Sequence, residues 1–89
     1  MNTEELRSRL KELHSELCQT ETVDADQREL LKDLENDIHA CLNREENQEH
    51  HYRGLSERLD EAVAQVEVSH PRITRLMRRA IDSLSYLGV

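Results

Sequence analysis

Residues 43–54 read NREENQEHHYRG, from Asn43 to Gly54, and the reading of this stretch decides the fold. It holds no large aliphatic residue, is polar apart from Tyr52 and ends in glycine, so it reads as a break between helices. Yet the apolar phase of the preceding segment, carried forward three heptads from Leu31, lands on Tyr52 and continues through Leu55, Leu59, Ala62 and Val66. The alternative is therefore one long helix from Asp26 to Val68, because an interior glycine costs only about 1 kcal/mol. The first reading gives four helical segments, and the second fuses the middle two.

Outward from this stretch, apolar residues recur at steps of three and four. Leu6, Leu10, Leu13 and Leu17 form one set, and Leu31, Leu34, Ile38 and Cys41 a second. Leu55, Leu59, Ala62 and Val66 form a third, and Ile73, Met77, Ala80, Leu84 and Leu87 a fourth. Such spacing places each set on one face of a helix. Leu30 and Leu42 widen the second face, and Leu76 and Ile81 the fourth. Asn2 with Glu5 reads as a capping box for the first helix, with Met1 stapled on Leu6. Thr20 to Val23 is a short connector, and Asp24 with Gln27, or Asp26 with Glu29, caps the second helix. Ser69-His70-Pro71 is a structural corner: Pro71 suits the first helical position and pushes His70 out of the α region. Gly88 suits the end of the last helix, with Leu87 and Val89 packed. The fold class is all-α, with four amphipathic segments in antiparallel hairpins, bundle-like or coiled-coil-like.

With 89 residues the chain reads as one small helical domain over residues 1–89. It has neither Phe nor Trp, and a chain of this length buries only about 60–65% of its unfolded surface. Such a thin core makes association between chains a natural way to bury more of the leucine stripes, so a homo-oligomer is expected, a dimer in the first instance. Charged residues make up 35% of the chain, which raises disorder as the alternative, but the apolar residues are periodic rather than scattered. The longest apolar run is Ala62 to Ala64, far short of a signal core or a membrane span. A cytoplasmic location is expected. In a hairpin turning near Thr22, Cys41 lies about 25 Å beyond Cys18 along the axis, so two reduced thiols are expected rather than a disulfide.

Three chemical readings compete. Glu46, His50 and His51 could share a metal, but no HExxH or CxxC spacing accompanies them, and a solvated polar segment is the simpler reading. In the hairpin about Thr22, His14 lies opposite Leu30 and His39 opposite Glu5, so His14, His39 and His70 do not converge and neither cysteine meets a histidine. No catalytic residue, metal site or cofactor is assigned, and no enzyme is expected. Arg72, Arg75, Arg78 and Arg79 make the last helix basic, against an acidic body and a net charge of −7. Arg72, Arg75 and Arg79 are the candidate contacts for nucleic acid or another polyanion. The absence of stacking aromatics favours instead arginines that answer acidic faces of the other helices.

The Glu-Leu-rich start EELRSRLKELHSEL, the acidic RELLKDLENDI, the Ser69-His70-Pro71 corner and the ending Asp82-Ser83-Leu84-Ser85 with Leu87-Gly88-Val89 together resemble a small bacterial family, domain of unknown function 4404. The resemblance covers nearly the full length. It implies a short helical bacterial protein and brings no established activity. Function is left open by the resemblance; the four narrow leucine stripes, the lack of an aromatic core and the lack of a catalytic constellation give the expectation of a non-enzymatic helical interaction or assembly module that self-associates. A small polyanion-binding regulator is the first alternative, and a metal-responsive protein the second.

Overall fold

A computed structural model describes residues 3–88. The readings placed on Met1, Asn2 and Val89 lie outside those residues. Four helices follow one another: α1 (Thr3–Gln19), α2 (Ala25–Asn43), α3 (Glu49–Val66) and α4 (Pro71–Tyr86). α1 packs on α2, α2 on α3, α3 on α4 and α4 back on α1. The result is an antiparallel up-down-up-down bundle closed into a ring, about 35 Å long.

All four leucine stripes face the common axis. Leu6, Leu10, Leu13, Leu17, Leu31, Leu34, Ile38, Cys41, Leu55, Leu59, Ala62, Val66, Ile73, Met77, Ala80 and Leu84 form one buried cluster. Leu30, Leu42, Tyr52, Ile81 and Leu87 pack on its margin. The stripes that motivated association between chains are thus matched to one another within one chain.

Residues 43–54 contain a break, and α2 and α3 are separate helices rather than one. The break is narrower than the polar stretch, because only Arg44 to Gln48 leave the helix. The side chain of Asn47 donates to the Cys41 carbonyl at 2.9 Å, and Arg7 of α1 donates to the Leu42 carbonyl at 2.7 Å. Carbonyls at a helix end lack intrahelical partners, so these two donors seal the terminus of α2. Gly54, read as the end of the break, lies inside α3, exposed and with nothing near the position of a Cβ.

The other boundaries follow local chemistry. Asp24 caps α2, its carboxylate accepting from the Gln27 N–H at 2.9 Å. Pro71 stands at the start of α4, where a missing N–H leaves no helical bond unmade. His70 precedes it in a non-helical conformation, and the His70 carbonyl accepts from both the Thr74 N–H and the Thr74 hydroxyl. Gly88 ends α4 with φ +87°, the left-handed region that glycine enters without steric cost.

Candidate functional site

Chemistry gathers on the flank where α1 meets α2. His14 and Cys18 stand one turn apart on α1, so both side chains project from the same strip of helix surface. Cys18 Sγ lies 3.7 Å from His14 Nδ1 and donates to Glu35 Oε1 of α2 at 3.3 Å. The three donor atoms all lie within 4.8 Å of one another. His39 of α2 stacks on His14 with ring centroids 5.8 Å apart, and its Nε2 is 2.9 Å from the Asn43 amide nitrogen. His14 and Glu35 are half-buried, while Cys18 is exposed. The hydrogen bond to Glu35 is the main reason the Cys18 thiol sits above its ordinary pKa, with desolvation and the carboxylate charge adding to it. Cys18 and Glu35 also line an open cleft of about 720 Å³ beneath the α1–α2 connector, together with Leu17, Thr22, Arg28 and Leu31.

This arrangement corrects the hairpin register expected from the sequence. His14 meets His39 rather than Leu30, and a cysteine does meet a histidine. The displacement from Leu30 to His39 amounts to about 13 Å at 1.5 Å per residue. Its first source is the connector Thr20–Asp24, which is an open path rather than a tight turn. Five extended residues can span about 17 Å. The start of α2 accordingly reaches the α3–α4 corner, where Gln27 donates to the Gln65 carbonyl and accepts from the Ser69 hydroxyl. Arg28 holds the connector by donating to the Thr22 carbonyl at 3.0 Å. The second source is the lean of helical side chains toward their own N-terminus, which separates the Cα atoms of residues that touch across antiparallel helices. The His-x-x-x-Cys spacing of residues 14 and 18 was the available signal in the sequence.

The residues proposed from the sequence are placed differently. Glu46 lies exposed in the α2–α3 break, while the His50 and His51 rings sit 4.1 Å apart at the start of α3. Among the described residues the cluster of potential metal donors is His14, Cys18 and Glu35, and Glu46, His50 and His51 form none. His51 instead helps to cap α3, its Nδ1 accepting from the Gln48 N–H at 2.9 Å. Desolvation, then Arg44 and His50, lower its pKa.

On α4, Arg72 pairs with Glu16 at 3.0 Å, Arg78 with Glu67 at 3.0 Å and Arg79 with Glu12 at 3.9 Å. Arg75 is exposed and makes no ion pair with a described residue. Two of the three candidate polyanion contacts, Arg72 and Arg79, are therefore engaged by acidic side chains of α1. Both cysteines are free thiols, Cys18 exposed and Cys41 buried. Among the described residues no helix is long and apolar enough to cross a membrane.

The family model described as Domain of unknown function (DUF4404) matches residues 6–89, from the first buried leucine of α1 to the chain's last residue. The chain belongs to this family. The match spans all four helices of the bundle, including the α1–α2 flank and the Pro71 corner. No curated protein and no solved structure matches the chain.

Proposed function

We propose that this member of the family is a non-enzymatic interaction module that pairs with a second copy of itself through the end of the bundle carrying Val23 and Val68. One observation carries this reading. Val23 is 98% and Val68 92% exposed, and both lie at the same end, in the α1–α2 connector and the α3–α4 corner. With the stripes committed to the internal core, these two side chains are the apolar surface that the connecting segments present to solvent. The segments beneath them are held by Arg28 on the Thr22 carbonyl, by Gln27 on the Gln65 carbonyl and by the Ser69 hydroxyl on Gln27, so little freedom remains to be lost on contact.

The pairing is weak. Burial of a valine contributes at most about 1.5–3 kcal/mol, and association consumes about 4 kcal/mol or more of such gains. Four valines across a two-fold contact gain at most about 6–12 kcal/mol before that cost, so the contact is no tighter than about micromolar, and a dissociation constant of ~0.1–1 mM within that bound is the expectation. Sedimentation equilibrium over a concentration series should show a monomer–dimer equilibrium in that range. The double substitution Val23→Asp with Val68→Asp should abolish it while leaving the thermal melt of the monomer intact. A strict monomer at millimolar concentration, or a dimer indifferent to the double substitution, refutes the reading.

A further inference from the structure

We propose that His14, Cys18 and Glu35 form a binding site for a thiophilic divalent transition metal, zinc being the natural occupant. The site stands on the α1–α2 flank, its donors are not residues of the proposed valine contact, and Val23 lines the same cleft as Cys18 and Glu35. A tetrahedral zinc ion holds sulfur at about 2.3 Å and nitrogen or oxygen at about 2.0–2.2 Å, which sets its donor atoms about 3.5 Å apart. The observed separations are 3.7 Å for sulfur to nitrogen and 3.3 Å for sulfur to oxygen. The two sulfur separations are therefore already near those of a filled coordination shell, and all three donor atoms lie within 4.8 Å of one another, so rotation of side-chain ends can bring nitrogen and carboxylate oxygen onto one ion.

The donor set selects the class of ion. A thiolate and an imidazole favour zinc or cobalt(II) over magnesium or calcium, which take oxygen ligands. Two ligands come from successive turns of α1 and one from α2, so the ion bridges the two helices. His39 braces the imidazole of His14 by stacking on it and keeps its own Nε2 on Asn43. Water from the adjoining cleft takes the fourth position. On binding, the proton that Cys18 donates to Glu35 departs to solvent, and the metal replaces it between sulfur and carboxylate.

The test is a titration of the full-length chain with cobalt(II) chloride, followed by displacement with zinc chloride. We expect one equivalent per chain, thiolate-to-cobalt charge-transfer absorption in the near ultraviolet and the intensified visible bands of a tetrahedral site. Cys18→Ser should eliminate the charge-transfer absorption. Glu35→Gln and His14→Ala should weaken binding by more than the ~10–100-fold that follows loss of an outer-shell partner. A variant with both His50→Ala and His51→Ala should bind as the parent does. Cys18 is exposed, so the serine variant keeps the helical circular dichroism of the parent and remains decisive should the His14 variant unfold. Absence of charge-transfer absorption in the parent, its persistence in Cys18→Ser, or its loss in the His50/His51 variant overturns the assignment.

Discussion

Arg9 ties α1 to α4, and its contribution can be isolated. One guanidinium nitrogen donates to the Arg79 carbonyl at 2.8 Å and to the Ser83 hydroxyl at 2.9 Å, while the other pairs with Glu5 at 2.7 Å. Ser83 is fully buried, so its oxygen depends on the protein for a donor. Arg9→Met keeps most of the aliphatic stem and removes the charged donors. A hydrogen bond to a charged group contributes about 1.5–3 kcal/mol, and the partial exposure of Arg9 places the loss toward the lower figure. For a domain of this size, a loss of about 1.5–2 kcal/mol lowers Tm by roughly 6–16 °C. Ser83→Ala alone should cost less than about 1 kcal/mol, because the better helix former offsets the lost hydroxyl. The double variant should cost about 0.5–1 kcal/mol less than the two single costs together, since either change alone already breaks the shared bond. The Glu5 pair is absent from both Arg9 variants and cancels in the cycle. Urea melts of the four proteins supply the test. Additivity within about 0.3 kcal/mol would refute the claim that Arg9 serves the buried serine.

Two further outcomes follow from the helix starts. Pro71→Ala should lower stability by about 0.5–1 kcal/mol in a denaturant melt, because the alanine frees the unfolded chain without adding a helical bond at the first position; a gain of about 3 kcal/mol would mean that Pro71 sits inside a helix. His51 accepts the Gln48 N–H only when its Nδ1 is unprotonated, and its folded pKa lies below the ordinary value. The unfolded chain then binds the proton more readily, so this contribution is present above about pH 6.5 and is lost as the pH falls through the lowered folded value. The urea midpoint of His51→Ala should therefore vary less than that of the parent between pH 7 and 5, and parallel curves would remove His51 from the cap.

The fold was legible wherever burial is periodic. Each stripe residue named from steps of three and four is buried or packs on the margin of the core, because a helix with one apolar face has little choice about which side it hides. The cap at Asp24, the helix start at Pro71 with His70 before it, and the left-handed Gly88 were legible for a similar reason, since each follows from local backbone chemistry. The width of the α2–α3 break was not. Polar residues alone do not stop a helix, so Glu49 to Gly54 remain helical, while the stop depends on the Asn47 side chain reaching the Cys41 carbonyl. That contact exists only after the chain has turned.

The α1–α2 flank was illegible for a deeper reason. A stripe fixes the rotation of a helix about its axis and leaves its translation along the axis free. Leucine stripes repeat almost identically from turn to turn, so they tolerate sliding by a turn with little change in the apolar area they bury. Translation is instead set by the path of Thr20–Asp24 and by polar ties that reach other helices, as Gln27 does at Gln65 and Ser69. Polar chemistry is far less forgiving of such sliding, because one turn of α2 shifts Glu35 by about 5.4 Å, enough to part it from Cys18. A core of interchangeable leucines therefore carries information about which faces meet, while the meeting of His14, Cys18 and Glu35 reports how far α2 has travelled along α1. Polar contacts of that kind, rather than the stripes, are where a helical bundle with neither Phe nor Trp records its register.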